Sequence, residues 1–196
     1  MSEKSPQADS IPRARPIAAP VVTDVVRYWA GLRIGNCPPR RDQIDASAIA
    51  NALPHVFLAE LLTPRVARMR ISGQRIEDLL GMDMRGMPLT ALFKGAARDE
   101  LAEALEQVAL GARVTLSLEG ETGFGRPKLT AILGLLPLSD ESGHITRVMG
   151  VLECMGEMGR SPRRFTLARP VAAAVTELAS PRVARPVLRV VEGGKS

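Results

Sequence analysis

The sequence predicts an α+β domain in which helices cover one face of a five-stranded antiparallel sheet, with an amphipathic helix before the first strand. Three observations indicate this class. Two short runs of strand pattern lie close together and are followed by a helical pattern that ends in glycine. A longer helical pattern comes next, and three further strand patterns complete the domain. Strands joined by short turns pair antiparallel, and this order of elements is typical of α+β proteins.

The segment before the first strand is predicted to contain a disordered stretch and then a helix. Residues 1–20 are rich in Ser, Pro, Ala and Arg and are predicted to be disordered. Apolar residues then recur at helical spacing, which predicts an amphipathic flanking helix within residues 21–35. Thr23 or Asp24 is the expected N-cap, because short polar side chains accept hydrogen bonds from the first free backbone amides. Asp45 is placed to cap a further short helix.

The first two strand patterns form the hairpin around which the domain is organised. Residues 55–62 and 66–72 are separated by three residues, too few for a crossover helix, so the strands are expected to pair antiparallel. In the second strand, apolar and polar residues alternate as expected of a half-buried strand. The residues expected to share the buried face are Phe57, Ala59 and Leu61 in the first strand and Ala67, Met69 and Ile71 in the second.

Helices and three more strands follow the hairpin. A short helix is predicted to end at Gly81, which supplies a left-handed stop, and a longer helix covers residues 96–111. Gly134 and Gly150 interrupt the last two strands, where a missing side chain relieves crowding or lets a group approach the sheet closely. The three strands are predicted at residues 114–119, 129–138 and 144–154.

Composition and charge agree with one domain followed by a basic tail. The chain of 196 residues is 45% hydrophobic and only 3% aromatic, which is enough for one aliphatic core. The net charge of +5 lies mainly at the carboxyl end, because residues 157–196 carry eight Lys or Arg and three Asp or Glu. The domain is therefore predicted at residues 21–156. The tail at 157–196 contains Pro and Arg and is predicted to be mostly disordered or to dock on a partner.

Targeting signals are not recognisable in the sequence. The amino-terminal segment has no apolar core of a secretory signal, and no uncharged apolar run approaches the length of a membrane span. Two cysteines, Cys37 and Cys154, are too few for a disulfide framework. The protein is therefore expected to be soluble and cytoplasmic.

A series of short motifs runs through the domain: Tyr28-Trp29, Leu32-Arg33, Pro39-Arg40-Arg41, Ile44-Asp45, Leu53 to Leu58, Arg70 to Gly73, Leu80-Gly81, Arg85-Gly86, Leu135 to Leu138 and Val148-Met149-Gly150. In order and spacing they resemble a bacterial PAS-domain family, usually found as single-domain proteins. The resemblance covers roughly residues 21–154. It implies a PAS-like fold, and it indicates the fold more specifically than the function.

The resemblance also implies a place for the flanking helix. In PAS domains such a helix packs either on the outer face of the sheet or against a second subunit. A homodimer formed through this helix and the sheet, and a signalling protein as a further partner, are the expected assemblies. The candidate interface residues are Val22, Val25, Trp29 and Leu32.

Candidate ligand contacts lie on the hairpin and the segment after it. His55 is more readily explained by a structural hydrogen bond to nearby backbone than by a ligand. Arg68 and Arg70 share a polar face of the strand. Their side chains lie in solvent, form a salt bridge with an acidic residue such as Asp24, or bind a carboxylate or phosphate as an anion clamp. Methionines here either line an adaptable pocket or fill gaps in an ordinary core. The candidates are His55, Phe57, Arg68, Arg70, Met82, Met84, Phe93 and Leu135.

Catalytic and cofactor motifs are not recognisable. The sequence contains no P-loop, nucleophile elbow, HExxH or CxxC pattern, so an enzyme is not expected and no catalytic residue is assigned. The two histidines and two cysteines lack the close pairs of a structural zinc site. Neither Cys37 nor Cys154 is placed for the photochemistry of flavin-binding PAS proteins, and His55 is the single weak candidate for haem. The sequence therefore gives no support for flavin, haem or metal, and the cofactor is left unknown.

Three functions remain open. A sensory or regulatory module of bacterial signalling would bind a small ligand between sheet and helices, or change its dimer state, and relay the change to a partner. An interaction adaptor would have a filled core and use the flanking helix and sheet for docking. A nucleic-acid binder would use the basic tail, but that tail has no aromatic residue besides Phe165, which disfavours base stacking.

Overall fold

The computed structural model describes residues 18–168 and 175–176. Its helices are α1 (Pro20–Gly31), α2 (Gln74–Leu80) and α3 (Ala97–Ala109), with 3₁₀ segments at Arg41–Gln43, Ser47–His55 and Leu89–Leu92. Its strands are β1 (Val56–Thr63), β2 (Val66–Ser72), β3 (Arg113–Gly120), β4 (Thr130–Ser139), β5 (Ile145–Met155), β6 (Phe165–Leu167) and β7 (Val175–Thr176). Within these ranges, none of the helices combines the length and apolar character needed to cross a bilayer. The disorder predicted for residues 1–20 and for most of the tail concerns residues largely outside the described ranges.

The strands form one antiparallel sheet. Its order is β2-β1-β5-β4-β3-β6, and β7 also pairs with β3. The five predicted strands are confirmed, and β1 lies between its hairpin partner β2 and the distant strand β5. Side chains of the β1–β2 hairpin therefore lie next to those of β5, a strand far away in sequence, at the β2 end of the sheet.

The inner face of the sheet is the face that packs against α2, the 3₁₀ segment Leu89–Leu92 and α3. These elements are the helices predicted to cover one face. Gly81 ends α2 with a φ of 70°, the predicted left-handed stop. The inner core contains Phe57, Ala59, Met69, Leu116, Leu133 and Leu135 from the sheet and Ile76, Leu79, Leu101, Leu105 and Val108 from the helices.

Helix α1 covers the opposite, outer face of the sheet. Trp29 is fully buried there, and its indole nitrogen donates a hydrogen bond to the Pro137 carbonyl at 3.0 Å. The Val22 amide near the start of the helix donates to the Glu153 carboxylate of β5 at 3.0 Å. Helix α1 therefore occupies the first of the two expected positions, the outer face of the chain's own sheet.

The start of α1 differs from the prediction. The helix begins at Pro20 and not after Thr23 or Asp24, because proline at the first helical position lacks the amide that would otherwise need a partner. No side chain of the preceding residue caps the helix. The Glu153 carboxylate of β5 serves this purpose from elsewhere in the sequence.

A β-bulge at Arg70 changes the face on which one predicted core residue lies. Leu58 pairs with Ile71 whereas Ala59 pairs with Met69, so Arg70 is an extra residue in β2. Ala67 and Met69 are buried as predicted, but Ile71 lies on the outer face and is 55% exposed. The prediction that Ile71 faces the core was therefore wrong, because the simple alternation stops at the bulge.

The sheet continues beyond residue 156, into the segment predicted to be a disordered tail. Strand β6 pairs with β3, and Phe165 is fully buried in the inner core. Arg163 is also buried, and its guanidinium donates to the Pro127 carbonyl at 2.8 Å and to the Met158 carbonyl. The domain thus includes residues up to Leu167, because an aromatic anchor and a buried arginine hold this segment against the edge of the sheet.

Candidate ligand-binding groove

Most of the predicted ligand contacts lie in a filled core. Phe57, Met84, Phe93 and Leu135 are all fully buried in the inner core. The Phe57 ring lies directly over Gly150 of the neighbouring strand, so closely that an added Cβ at Gly150 would lie 1.9 Å from the ring. The space between sheet and helices, where a ligand was expected, is thus occupied by the chain's own side chains.

The other predicted contacts lie apart from one another. The His55 ring nitrogen Nδ1 lies 3.1 Å from the Leu152 carbonyl oxygen, which agrees with the structural interpretation of this residue. Met82 is 50% exposed after the end of α2. Arg68 and Arg70 are exposed on the outer face, and Arg70 pairs with Glu60 and not with Asp24, whose partner is Arg27. The eight residues therefore do not form one site.

The predicted interface residues of the flanking helix are largely covered by the chain itself. Val22, Val25 and Trp29 belong to the cluster between α1 and the outer face, and Leu32 is half-buried after the helix. In this arrangement the apolar side of α1 contacts its own sheet and not a second subunit. Any partner of this helix has to use its exposed side.

An open apolar groove lies on the outer face, beside the part that α1 covers. We call it the outer groove. Its volume is about 540 Å³, within the range of ligand sites. One wall is the Ser47–His55 segment and the floor is formed by the strands. The lining residues are Arg41, Ile44, Ala46, Ile49, Ala50, Leu53, Pro54, Val56, Phe57, Leu58, Ile71, Ser72, Gly73, Gln74, Leu138 and Met149.

The floor of the outer groove is apolar because of the register of three strands. Leu58 of β1 pairs with Ile71 of β2 on one side and with Met149 of β5 on the other. These three residues form a row across the sheet, since directly paired residues point to the same face. The bulge at Arg70 is what brings Ile71 into this row.

The next row of the same face is charged. Glu60 of β1 pairs with Arg68 of β2 and with Arg147 of β5. Arg70 also donates to the Glu60 carboxylate, from Nε at 2.8 Å. These arginines, Arg70 above all, lower the pKa of Glu60. Beside the apolar row, therefore, three arginines share one carboxylate.

Arg41 joins the apolar and charged parts. It lines the outer groove and also a second depression that is lined by Leu58, Glu60, Arg70 and Arg147. We call the residues Arg41, Glu60, Arg70 and Arg147 the arginine end of the groove. Within residues 18–168, neither Arg41 nor Arg147 forms a salt bridge, whereas Arg40 is paired with Asp42. Two guanidinium groups of the arginine end thus have no carboxylate partner in the described part of the chain.

The wall of the groove is held by local polar contacts. Asp45, the predicted cap, lies one residue before the N-cap position, which is Ala46, and accepts a hydrogen bond from the Ser47 amide at 2.9 Å. The Tyr28 hydroxyl of α1 accepts from the Asp45 amide at 2.7 Å, which fixes the wall to the flanking helix. Gly73 lets β2 turn under the wall, since an added Cβ there would lie 2.2 Å from the Leu53 carbonyl oxygen.

Sequence reasoning missed this groove. Arg41, Leu58, Ile71, Met149 and Arg147 come from four separate elements, and the pairing of β1 with both β2 and β5 brings the strand residues together. The sequence contains one signal of the groove. The strand around Gly150, now β5, is apolar on both faces, so both faces need to be covered by other elements or by a ligand. Nothing in the local sequence marks Arg147.

The fold is α+β, with an antiparallel sheet whose inner face carries short helices and whose outer face carries a preceding helix. The family model described as PAS domain matches residues 18–153. The chain therefore belongs to the PAS-domain family, as the motifs predicted. No curated protein matches it in sequence.

Solved structures with a similar arrangement include light-sensing domains. The light-state structure of the LOV domain of the blue-light photoreceptor Aureochrome1 is 17% identical with a TM-score of 0.43, over 57% of this chain and 88% of that chain. A light-oxygen-voltage domain studied with a flavin analogue is 18% identical with a TM-score of 0.42, over 57% of this chain and 84% of that one. An RNA-binding light-oxygen-voltage receptor is 18% identical with a TM-score of 0.41, over 62% of this chain and 37% of that one.

The inner core of this chain does not fit a flavin. A flavin needs room for a planar ring system and polar partners for the heteroatoms of that ring. In this chain the space between the sheet and the helices of its inner face is filled by the side chains of Phe57, Met84, Phe93 and Phe165. Within the described ranges, no group of three or more His, Cys, Asp or Glu is arranged to hold a metal ion.

The two cysteines are expected to differ sharply in reactivity. Burial raises the pKa of the Cys154 thiol to about 11, whereas Cys37 is exposed. Since the thiolate is the nucleophile, about one Cys154 thiol in a thousand is ionised at pH 8. We expect iodoacetamide to add one group quickly and the second only in denaturant, as measured by intact mass. A Cys37→Ser variant should lose the fast reaction, and equal rates at both cysteines in the native protein would contradict the burial of Cys154.

Proposed function

We propose that this domain is a non-catalytic sensory or regulatory module that takes up an apolar ligand in the outer groove. The observation that carries the proposal is the apolar row of Leu58, Ile71 and Met149 on the floor of the groove, in which Ile71 is 55% exposed, Leu58 is half-buried and Met149 is buried. Two apolar side chains of its lining, Leu53 and Ile71, are exposed to solvent and available to a ligand. The filled inner core supports a position on the outer face for the ligand.

The wall of the groove offers a route by which occupancy could be passed on. A ligand that contacts the Ser47–His55 segment would restrict its movement. That segment is joined to α1 through the Tyr28 hydroxyl and the Asp45 backbone. The proposed output is therefore a change in how firmly α1 is held, read by a protein partner or a second subunit on the exposed side of this helix.

The proposal predicts that a neutral apolar dye binds in the groove. Nile red should bind the full chain with enhanced fluorescence, and Leu53→Ser and Ile71→Ser should each weaken binding several-fold, because these residues line the groove and are 40% and 55% exposed. Such partly exposed positions should tolerate the change with little loss of stability. Leu62→Ser is the matched control, since Leu62 is 44% exposed at the far end of β1 and does not line the groove. Equal binding by all variants would refute the proposal.

An interaction adaptor is the second candidate, and the filled inner core is the observation that favours it. In that case the same apolar row would contact a segment of a protein partner. Native mass spectrometry of the purified full chain separates the two functions, because it reports bound small molecules and oligomeric state together. A small molecule retained by the wild type and lost in Ile71→Ser supports the sensory module.

A further inference from the structure

We propose that the ligand of the outer groove is an amphipathic anion, that is, an apolar chain or ring that ends in a carboxylate or phosphate group. The apolar part would lie on Leu58, Ile71 and Met149, and the anionic group between Arg41 and Arg147. This inference rests on the proposed function and specifies the ligand class of the same site.

The geometry of the floor carries the inference. Leu58 and Glu60 are two residues apart on β1 and point to the same face, so the apolar row and the charged row are about 7 Å apart along the strand. Arg147 stands in the same relation to Met149 on β5. A ligand that extends from one row to the next therefore contacts apolar side chains at one end and guanidinium groups at the other.

The charge of the arginine end selects an anion. Three guanidinium groups, from Arg41, Arg70 and Arg147, surround one carboxylate, from Glu60. Arg70 is already paired with that carboxylate. Arg41 and Arg147 form no salt bridge within residues 18–168. Both also line a neighbouring depression with Asp42, Asp140 and Glu141, of which Asp42 is paired with Arg40. Guanidinium groups bind a carboxylate or phosphate with two parallel hydrogen bonds.

The chain's own tail is a poor occupant of this site. Residues 157–196 carry eight Lys or Arg and three Asp or Glu, so a positive arginine end repels them. Strands β6 and β7, which lie within residues 157–196, pair with β3 at the opposite end of the sheet from β2. Charge and position therefore both favour a separate anionic molecule.

Four probes with the same apolar chain test the inference: decanoate, decyl phosphate, decanol and decyltrimethylammonium, each kept below its micelle concentration. Titration calorimetry with the full chain should give the lowest Kd for the two anions, and rising salt should weaken them more than decanol. A lower Kd for decanoate identifies the head group as a carboxylate, and a lower Kd for decyl phosphate identifies it as a phosphate.

Variants then locate the anionic group. Arg41→Gln with Arg147→Gln should raise the Kd of the preferred anion about tenfold or more and leave that of decanol unchanged. Arg27→Gln is the control, because Arg27 is exposed on α1 and lies outside the groove. Light scattering of wild type and Ile71→Ser in the same buffer reports whether a second copy covers the groove.

Three results would overturn the inference. If decanol binds as tightly as both anions and Ile71→Ser weakens them equally, the groove takes apolar ligands without regard to charge, and the proposed function stands without this ligand class. If neither the probes nor Nile red bind, the proposed function fails as well. If the wild type is a dimer that Ile71→Ser dissociates, the occupant is a second copy and not an anion.

Discussion

Gly150→Ala should lower the free energy of unfolding by about 3 kcal/mol, which corresponds to roughly 10 °C in Tm. The added methyl group would lie 1.9 Å from the Phe57 ring, on the strand that pairs directly with β5. Because Phe57 is fully buried in the inner core, the ring cannot turn aside without displacing its neighbours. Urea or thermal unfolding followed by circular dichroism measures the loss.

Two further variants test the cause of this effect. Gly31→Ala is the control, since an added Cβ at Gly31 meets nothing within 4 Å and this change should cost about 0.5 kcal/mol or less. Phe57→Leu with Gly150→Ala should be more stable than the sum of the single changes predicts, by at least about 1 kcal/mol, because the smaller side chain makes room for the methyl group. Strict additivity would show that ring contact is not the reason.

Trp29→Ala should cost about 4 kcal/mol of unfolding free energy. The indole is fully buried between α1 and the outer face, and its removal also deprives the Pro137 carbonyl of a donor that lies 3.0 Å away. The mass of the folded protein in light scattering should stay the same, because Trp29 contacts its own sheet. Denaturant unfolding monitored by far-UV circular dichroism measures the stability, since the variant lacks the single tryptophan of the chain.

Trp29→Phe keeps the test usable if the alanine variant does not fold. It retains most of the apolar contact and loses the hydrogen bond, so an intermediate cost of about 1–2 kcal/mol is expected. Arg27→Ala, on the exposed side of the same helix, should change stability little. A phenylalanine variant with wild-type stability and an altered mass would instead place Trp29 in an interface between subunits.

The elements of this fold could be predicted because their local patterns agree with their surroundings. The period of two in residues 66–69 and the left-handed glycine that ends α2 are properties of short windows, and both are confirmed. The bulge at Arg70 could not be found in this way. It depends on how β2 pairs with β1, and the sequence on either side continues the same alternation.

The candidate site was harder to predict than the fold. Phe57, Phe93 and Leu135, which were predicted as ligand contacts, face the space between sheet and helices, and their sizes relative to that space determine whether it is open or filled. That comparison requires packing in three dimensions. The groove on the other face arises from the pairing of β1 with β5, whose residues are about ninety positions apart.

The pairing of β6 with β3 has a consequence for how this domain can be isolated. Leu118, Glu119 and Gly120 pair with residues 165–167, so the backbone groups of this part of β3 are not left open. Cutting the chain at residue 156, where sequence patterns place the end of the domain, would uncover a ready template for strands of other molecules. If such a fragment aggregates, the cause would be the loss of β6 and not an unstable fold.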